Sequence, residues 1–296
     1  MSIAFFTEMG FKGKIPRDHN NMRTEFAWMV ALDADHYHIK DIPNKKYDLG
    51  ITIIPKNNPE FNIESLKQYC TKVAVMQEGP HWYFQDYTLD KQINYFNALT
   101  TADIIFAHNK ADKIYYKGLT NHKDIRVMKS LMIDDAGGTI KEGNRKGVII
   151  GGNFVNWYGG FDSYMVANSQ FDKITAPTMG RKQEGEGQLL SLLPYMTWKE
   201  WIHKLNEFKI GVHLMRTHAA GTFALNCAYL GIPCIGYKGL DTQEFCHPDL
   251  TVEIGNLGHA KELIKELNNN NEFYNECCKI AKYNYKERYH ESKFKI

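Results

Sequence analysis

The sequence predicts an α/β protein built from two Rossmann-like halves. Short apolar runs of strand length alternate with amphipathic stretches of helical period, and the alternation restarts at a glycine turn near the middle of the chain. The 296 residues are enough for two domains of common size. Strands separated by helices need crossover connections, and these produce parallel sheets.

The first half opens with a strand over residues 3–7, a glycine loop over 9–17 and an amphipathic helix over 20–32. Strands are then expected at 49–54, 73–77, 104–107 and 127–133, with helical patterns at 63–69 and 90–99 between them. The stretch 134–146 is glycine-rich and charged with almost no apolar period, so residues 136–146 read as a linker. The plan restarts at Gly147-Val-Ile-Ile-Gly151-Gly152-Asn153, a strand entering a glycine turn. A helix near 161–167, strands at 173–176 and 210–214 and a helix at 198–208 follow. The tail over 271–294 reads as one long helix with a basic end. The expected division is 1–135, linker 136–146, 147–275, and a terminal segment 276–296.

Composition narrows the class. Apolar residues make up 43%, no run reaches the length of a membrane span, and the first residues lack a signal-peptide pattern, so a cytoplasmic protein is expected. Six cysteines, Cys70, Cys227, Cys234, Cys246, Cys277 and Cys278, show no Cys-x-x-Cys spacing and read as reduced thiols. The net charge of +2 does not announce a nucleic-acid binder, although a local groove can be basic when the total is not.

Residues 218–236, His-Ala-Ala-Gly-Thr-Phe-Ala-Leu-Asn-Cys-Ala-Tyr-Leu-Gly-Ile-Pro-Cys-Ile-Gly, are the most informative stretch. Gly221 and Thr222 open a helix, Gly231 stops it, and a buried strand follows. A helix N-terminus beside glycine favours an anion, through its free N–H groups and the positive end of its dipole. This stretch resembles the nucleotide-sugar signature of retaining GT-B glycosyltransferases of the family-4 type. In that signature a Glu, seven intervening residues and a second Glu precede a Gly-x-Pro turn. Here Gly221, Ala228, Gly231 and Pro233 match, while His218 and Asn226 stand where the two glutamates would be. Asn can still hydrogen-bond a ribose, and His can still contact a sugar or phosphate.

The resemblance implies two Rossmann-like domains with an interdomain cleft and a C-terminal helix that crosses back to the first domain. It also implies a nucleotide-diphosphate sugar as co-substrate, UDP-sugar being favoured, with no metal. On the donor side it assigns Gly151, Gly152 and Asn153 to the diphosphate. Arg181 and Lys182 are the nearest cations to that turn, and Tyr195 lies in the loop that contacts the base. On the acceptor side, the loop after the first strand carries Arg17, Asp18 and Arg23. The loop Glu78-Gly-Pro-His81-Trp82-Tyr83 offers a carboxylate and an imidazole to take the acceptor proton, with two aromatic rings to stack on a sugar or base. Glu78, His81 and Asp18, in that order, are the catalytic candidates.

The phrases Pro-Arg-Asp-x-x-Asn-Met-Arg-Thr and Met-Gln-Glu-Gly-Pro-x-Trp-Tyr are similar to those of glycosyltransferases encoded by tailed bacteriophages. That likeness implies a hydroxymethylated base in DNA, flipped from its stack, as one acceptor, with the host cytoplasm as the place of action. A lipid-linked or surface glycan is the next. A competing motif, Asp33-Ala-Asp35 after an apolar run, looks like the metal-binding Asp-x-Asp of GT-A enzymes. It arrives after only one strand, and its apolar residues fit a helix. The expected activity is hexosyl or pentosyl transfer to a hydroxyl. The alternatives are a sugar-nucleotide epimerase or hydrolase on the same frame, and a noncatalytic nucleotide- or DNA-binding protein.

Overall fold

A computed structural model of the chain describes every residue except 10, 56–60, 78, 135–137, 141–142, 156–157 and 179. The chain divides into two units, the first comprising residues 1–19, 24–129 and 295–296, the second 20–23 and 130–294.

The first unit runs β1 (Ile3–Thr7), β2 (Gly13–Lys14), α1 (Thr24–Ala31), β3 (Asp35–His38), β4 (Tyr47–Ile53), β5 (Cys70–Met76), α2 (Leu89–Thr101), β6 (Ile104–Ala107), α3 (Lys110–Thr120) and β7 (Ile125–Val127). Its sheet has the order β2-β3-β1-β4-β5-β6-β7, with every pairing parallel except the antiparallel β2–β3 pair. Ile-Ala-Phe-Phe-Thr of β1 is buried along its whole length, as a strand covered by helices on both faces must be. Phe6, Tyr47, Val75, Tyr95, Ile105 and Tyr116 share the core on one side of this sheet.

The second unit runs β8 (Val148–Ile150), α4 (Gly160–Ala167), β9 (Ile174–Pro177), β10 (Ser191–Leu193), α5 (Trp198–Leu205), β11 (Ile210–His213), α6 (Thr222–Leu230), β12 (Cys234–Tyr237), α7 (Asp241–Cys246), β13 (Thr251–Val252), α8 (Leu257–Asn269) and α9 (Asn271–Arg288). The all-parallel sheet order β10-β9-β8-β11-β12-β13 reverses between β8 and β11. In open parallel sheets, ligands bind at such a reversal, beyond the carboxyl ends of the strands.

Several expectations shift. The helix expected from residue 20 begins at Thr24, because Asn20 serves another helix: its carbonyl accepts from the N–H groups of Trp198 (3.0 Å) and Lys199 (3.4 Å), two of the orphan donors opening α5. The strand expected over 127–133 ends at Val127, and beyond it only Met132 bridges, to His290. Residues 63–68 form a 3-10 helix. The short or polar strands β3, β10 and β13 and the helices α3, α7 and α8 had no clear sequence signal. At the end of the expected linker, Arg145 donates to the carbonyls of Leu230 (2.6 Å) and Gly231 (3.0 Å), a cation placed at the negative end of α6. The terminal helix α9 packs on α6, α7 and α8. All six cysteines are free. Among the described residues, no helix is long and apolar enough to cross a membrane.

Candidate functional site

In the second unit the strand order reverses between β8 and β11. The glycine turn follows β8, and β11 beside it ends at His213. A Cβ at Gly151 would come within 2.4 Å of the His213 ring, and one at Gly152 within 2.6 Å of Tyr158. Both glycines are therefore required by the protein's own packing. His213 in turn meets Phe223 edge-on at 5.2 Å. Because Phe223 is the second residue of α6, this chain of contacts sets the glycine turn beside the α6 N-terminus.

Gly221 caps α6 with φ 67°, and the first i to i−4 bond runs from Leu225 N to Gly221 O at 3.2 Å. The N–H groups of Thr222, Phe223 and Ala224 thus precede the helical ladder, which makes this end an anion site in principle. Thr222 is exposed at this end, and Thr242 Oγ1 fixes the cap by donating to Gly221 O at 3.0 Å. His218 is half-buried against Gly239, and its Nε2 has no partner among the described residues.

Asn153 is fully buried, and its amide donates to Arg181 O (2.6 Å) and Glu186 Oε1 (2.8 Å). Glu186, which sequence reasoning passed over, is buried and also accepts from the N–H groups of Phe154 (3.0 Å) and Gln183 (2.7 Å). This carboxylate ties the Arg181–Lys182 loop to the glycine turn, while the Arg181 and Lys182 side chains themselves are exposed. Asn153 is therefore a strut for the loop.

Asn226 lies on the inward face of α6, 5% exposed. It accepts from Trp201 Nε1 at 3.0 Å, and its amide points to Met132 Sδ at 3.2 Å. Both its amide oxygen and its amide nitrogen thus have contacts inside the unit. Arg23, expected on the acceptor side, groups with this unit. Its guanidinium lies 5.1 Å above the ring of the exposed Tyr195 and donates to Met196 O at 2.8 Å. An arginine on an exposed aromatic ring makes a flat surface suited to a base or sugar.

In the first unit, the loops after β5 and β6 build a dyad. His81 Nδ1 lies 2.7 Å from Oδ1 of Asp112, which is completely buried in the first turn of α3. Asn109, the N-cap of α3, accepts from Asp112 N (2.9 Å) and donates to Asp112 Oδ2 (3.2 Å), locking the carboxylate. An imidazole donating from Nδ1 carries its lone pair on Nε2, the tautomer a general base needs. Tyr115 packs on the ring at 4.2 Å.

Of the adjoining aromatics, Phe84 is core, stacked on Tyr95 at 4.3 Å, whereas Trp82 and Tyr83 are half-buried. Glu78 lies outside the described residues. Arg17 and Asp18 are exposed in the turn closed by His19 N to Pro16 O at 3.0 Å.

Asp33 and Asp35 are occupied by lysines. Lys14 lies 2.9 Å from Asp33 and 3.6 Å from Asp35, and Lys45 lies 2.8 Å from Asp35. Tyr47 also donates to Asp35 at 2.6 Å, and these partners hold the Asp35 carboxyl below its usual range against the opposing effect of burial. Among the described residues, no group of three or more His, Cys, Asp or Glu could hold a metal ion.

Two α/β units with largely parallel sheets give the GT-B glycosyltransferase fold, as the following solved structures show. A sucrose-phosphate synthase from Thermosynechococcus elongatus is similar at 10% identity over 99% of this chain and 96% of its own, with a TM-score of 0.67. Anabaena HepE, solved with UDP and glucose, is similar at 11% identity over 99% and 96%, with a TM-score of 0.66. S. aureus TarM, solved with UDP among its ligands, is similar at 11% identity over 85% of this chain, with a TM-score of 0.66, and the chain spans about half (54%) of its length. No known protein-family profile and no curated protein matches the sequence.

Proposed function

We propose that the chain is a glycosyltransferase that moves a hexosyl or pentosyl group from a nucleotide-diphosphate sugar, UDP-sugar first, to a hydroxyl. The observation that carries this reading is the joining of the glycine turn, the tethered Arg181–Lys182 loop and the open α6 N-terminus at the β8/β11 reversal. Neighbours of the same fold, HepE and TarM, were solved with UDP bound. In this reading the α6 N–H groups and the two cations hold the diphosphate without a metal. Tyr195, supported by Arg23, takes the base, and His218 meets the sugar or a phosphate.

The first unit supplies the acceptor side, with Arg17, Trp82 and Tyr83 as contacts and His81 as the base. His81 Nε2 takes the proton from the acceptor hydroxyl, the oxygen bonds to the anomeric carbon, and the bond to the diphosphate breaks, releasing the nucleotide. A base on the acceptor supports direct displacement with inversion. Retention, which the sequence resemblance implies, would instead deliver the proton to the leaving phosphate, and the anomeric configuration of the product separates the two. Hydroxymethylated DNA is the first acceptor to assay, and a lipid-linked glycan the second. The acceptor domain is taken as 1–135 and the donor domain as 147–275, with 20–23 and 130–294 grouping with the second unit.

The test is calorimetric titration with UDP and with uridine, guanosine and adenosine diphosphate sugars, in chelator and in magnesium or manganese. Arg181→Ala with Lys182→Ala is expected to raise the UDP dissociation constant about tenfold or more, the size of one lost charge-assisted hydrogen bond, with unchanged thermal unfolding. Binding that requires metal, or an unchanged constant in the double variant, would remove this donor site. Nucleotide binding without turnover would favour the noncatalytic alternative.

A further inference from the structure

α2 and α3 belong to successive crossovers, β5 to β6 and β6 to β7, so both lie on one face of the first sheet. The Tyr95 hydroxyl of α2 donates to that of Tyr116 of α3 at 3.2 Å beneath them. Tyr95, Leu99 and Tyr116 fill the inward side and are buried.

The outward side is unlike an ordinary solvated layer. Leu89, Ile93 and Phe96 follow one line of α2 at i, i+4 and i+7, and are 71%, 51% and 40% exposed. Ile114 on α3 is 73% exposed. Scattered exposed apolar residues need no explanation, but an aligned set on paired helices marks an interaction surface.

Charge identifies the partner. Lys110, Lys113 and Lys117 are exposed along α3, and Lys91 is part-exposed on α2. Asp90 is the one exposed carboxylate of the two helices, since Asp112 is buried against His81. A second copy of this chain docked about a two-fold axis would set these lysines against each other. A polyanionic strand would leave the aliphatic side chains unused. An anionic bilayer uses both, because apolar side chains enter the headgroup boundary while lysines pair with lipid phosphates.

We propose that the outer face of α2 and α3 is a docking surface for an anionic lipid membrane. The proposal goes beyond the transferase reading and stands without it.

The test is co-sedimentation of the full chain, without donor, with vesicles of phosphatidylcholine alone or containing phosphatidylglycerol, at low and high salt. Binding is expected only with the anionic lipid and is expected to weaken with salt. Lys113→Gln with Lys117→Gln should lower partitioning about 25-fold, roughly fivefold for each lysine. Ile93→Ser with Phe96→Ser should also lower it, through lost insertion. UDP affinity and thermal unfolding of both variants should match the parent, so failure here is distinguishable from failure of the donor site.

Absence of binding to anionic vesicles, or equal binding by parent and variants, would overturn the proposal. So would a concentration-dependent doubling of mass in light scattering that Ile93→Ser with Phe96→Ser abolishes, which would give the face to a second copy.

Discussion

His81 and Asp112 show what two side chains can do when burial orients them. Asp112 has no exposure and is held by its N-cap, so its carboxylate fixes the tautomer and rotation of a partly exposed imidazole. Asp112→Asn keeps the shape and removes the charge, and it should cut kcat/KM for transfer by about 10²- to 10⁴-fold, the usual worth of an oriented acid–base group. His81→Ala should cost as much, and the double variant little more, because the pair acts as a unit. UDP affinity should not change, and transfer assays beside calorimetry would show whether the loss is confined to chemistry. The loop holding His81 was legible as a candidate because it follows a strand and mixes a carboxylate, an imidazole and aromatics. Asp112 was not, since it lies 31 residues away and its role exists only once β5 and β6 pair. Asn226, whose position in a familiar frame suggested a ligand contact, also accepts from Trp201, a pairing its sequence neighbourhood did not show.

At the scale of elements, α6 is where local sequence and fold agree. Gly221 and Gly231 bound it at both ends with left-handed φ, and it is buried on nearly every side, as a helix apolar all round must be. The entry to α4 is decided by crowding instead. Gly159 has φ 68°, and a Cβ there would lie 2.2 Å from the carbonyl oxygen of Leu214. Gly159→Ala must both strain the left-handed backbone and push the chain after β11 away, at a cost of roughly 2 kcal/mol or more. Urea unfolding is expected to show that loss, accompanied by weaker UDP binding, because the same chain segment supports the glycine turn. A stability equal to the parent would mean that the segment relaxes freely.

For the whole molecule, buried histidines set the acid limit. Burial pushes His247 down to about 4 despite its bond to the Ala224 carbonyl, and pushes His213 down to about 4 despite a bond to the Tyr158 backbone. Burial likewise lowers His36. These groups stay neutral in the folded chain while the unfolded chain protonates near its ordinary value of 6.5. Between about pH 6.5 and about 4 the unfolded state therefore binds more protons, and stability falls as pH falls through that window. For His247 the loss is on the order of 3 kcal/mol. Urea midpoints measured down this range should decline, and His247→Gln should flatten the decline; a flat profile in the parent would contradict the neutral assignment.

The sequence by itself determined much of the alternation of elements, the restart at Gly147 and the helix at 222–230, because apolar patterning and glycine punctuation act over a few neighbouring residues. Only the tertiary structure decided that residues 20–23 group with the second unit, that Asn153 and Glu186 tether the cationic loop, and that His81 meets Asp112. Those pairings join residues far apart in the chain, and they are fixed by sheet order and close packing, which local period does not encode.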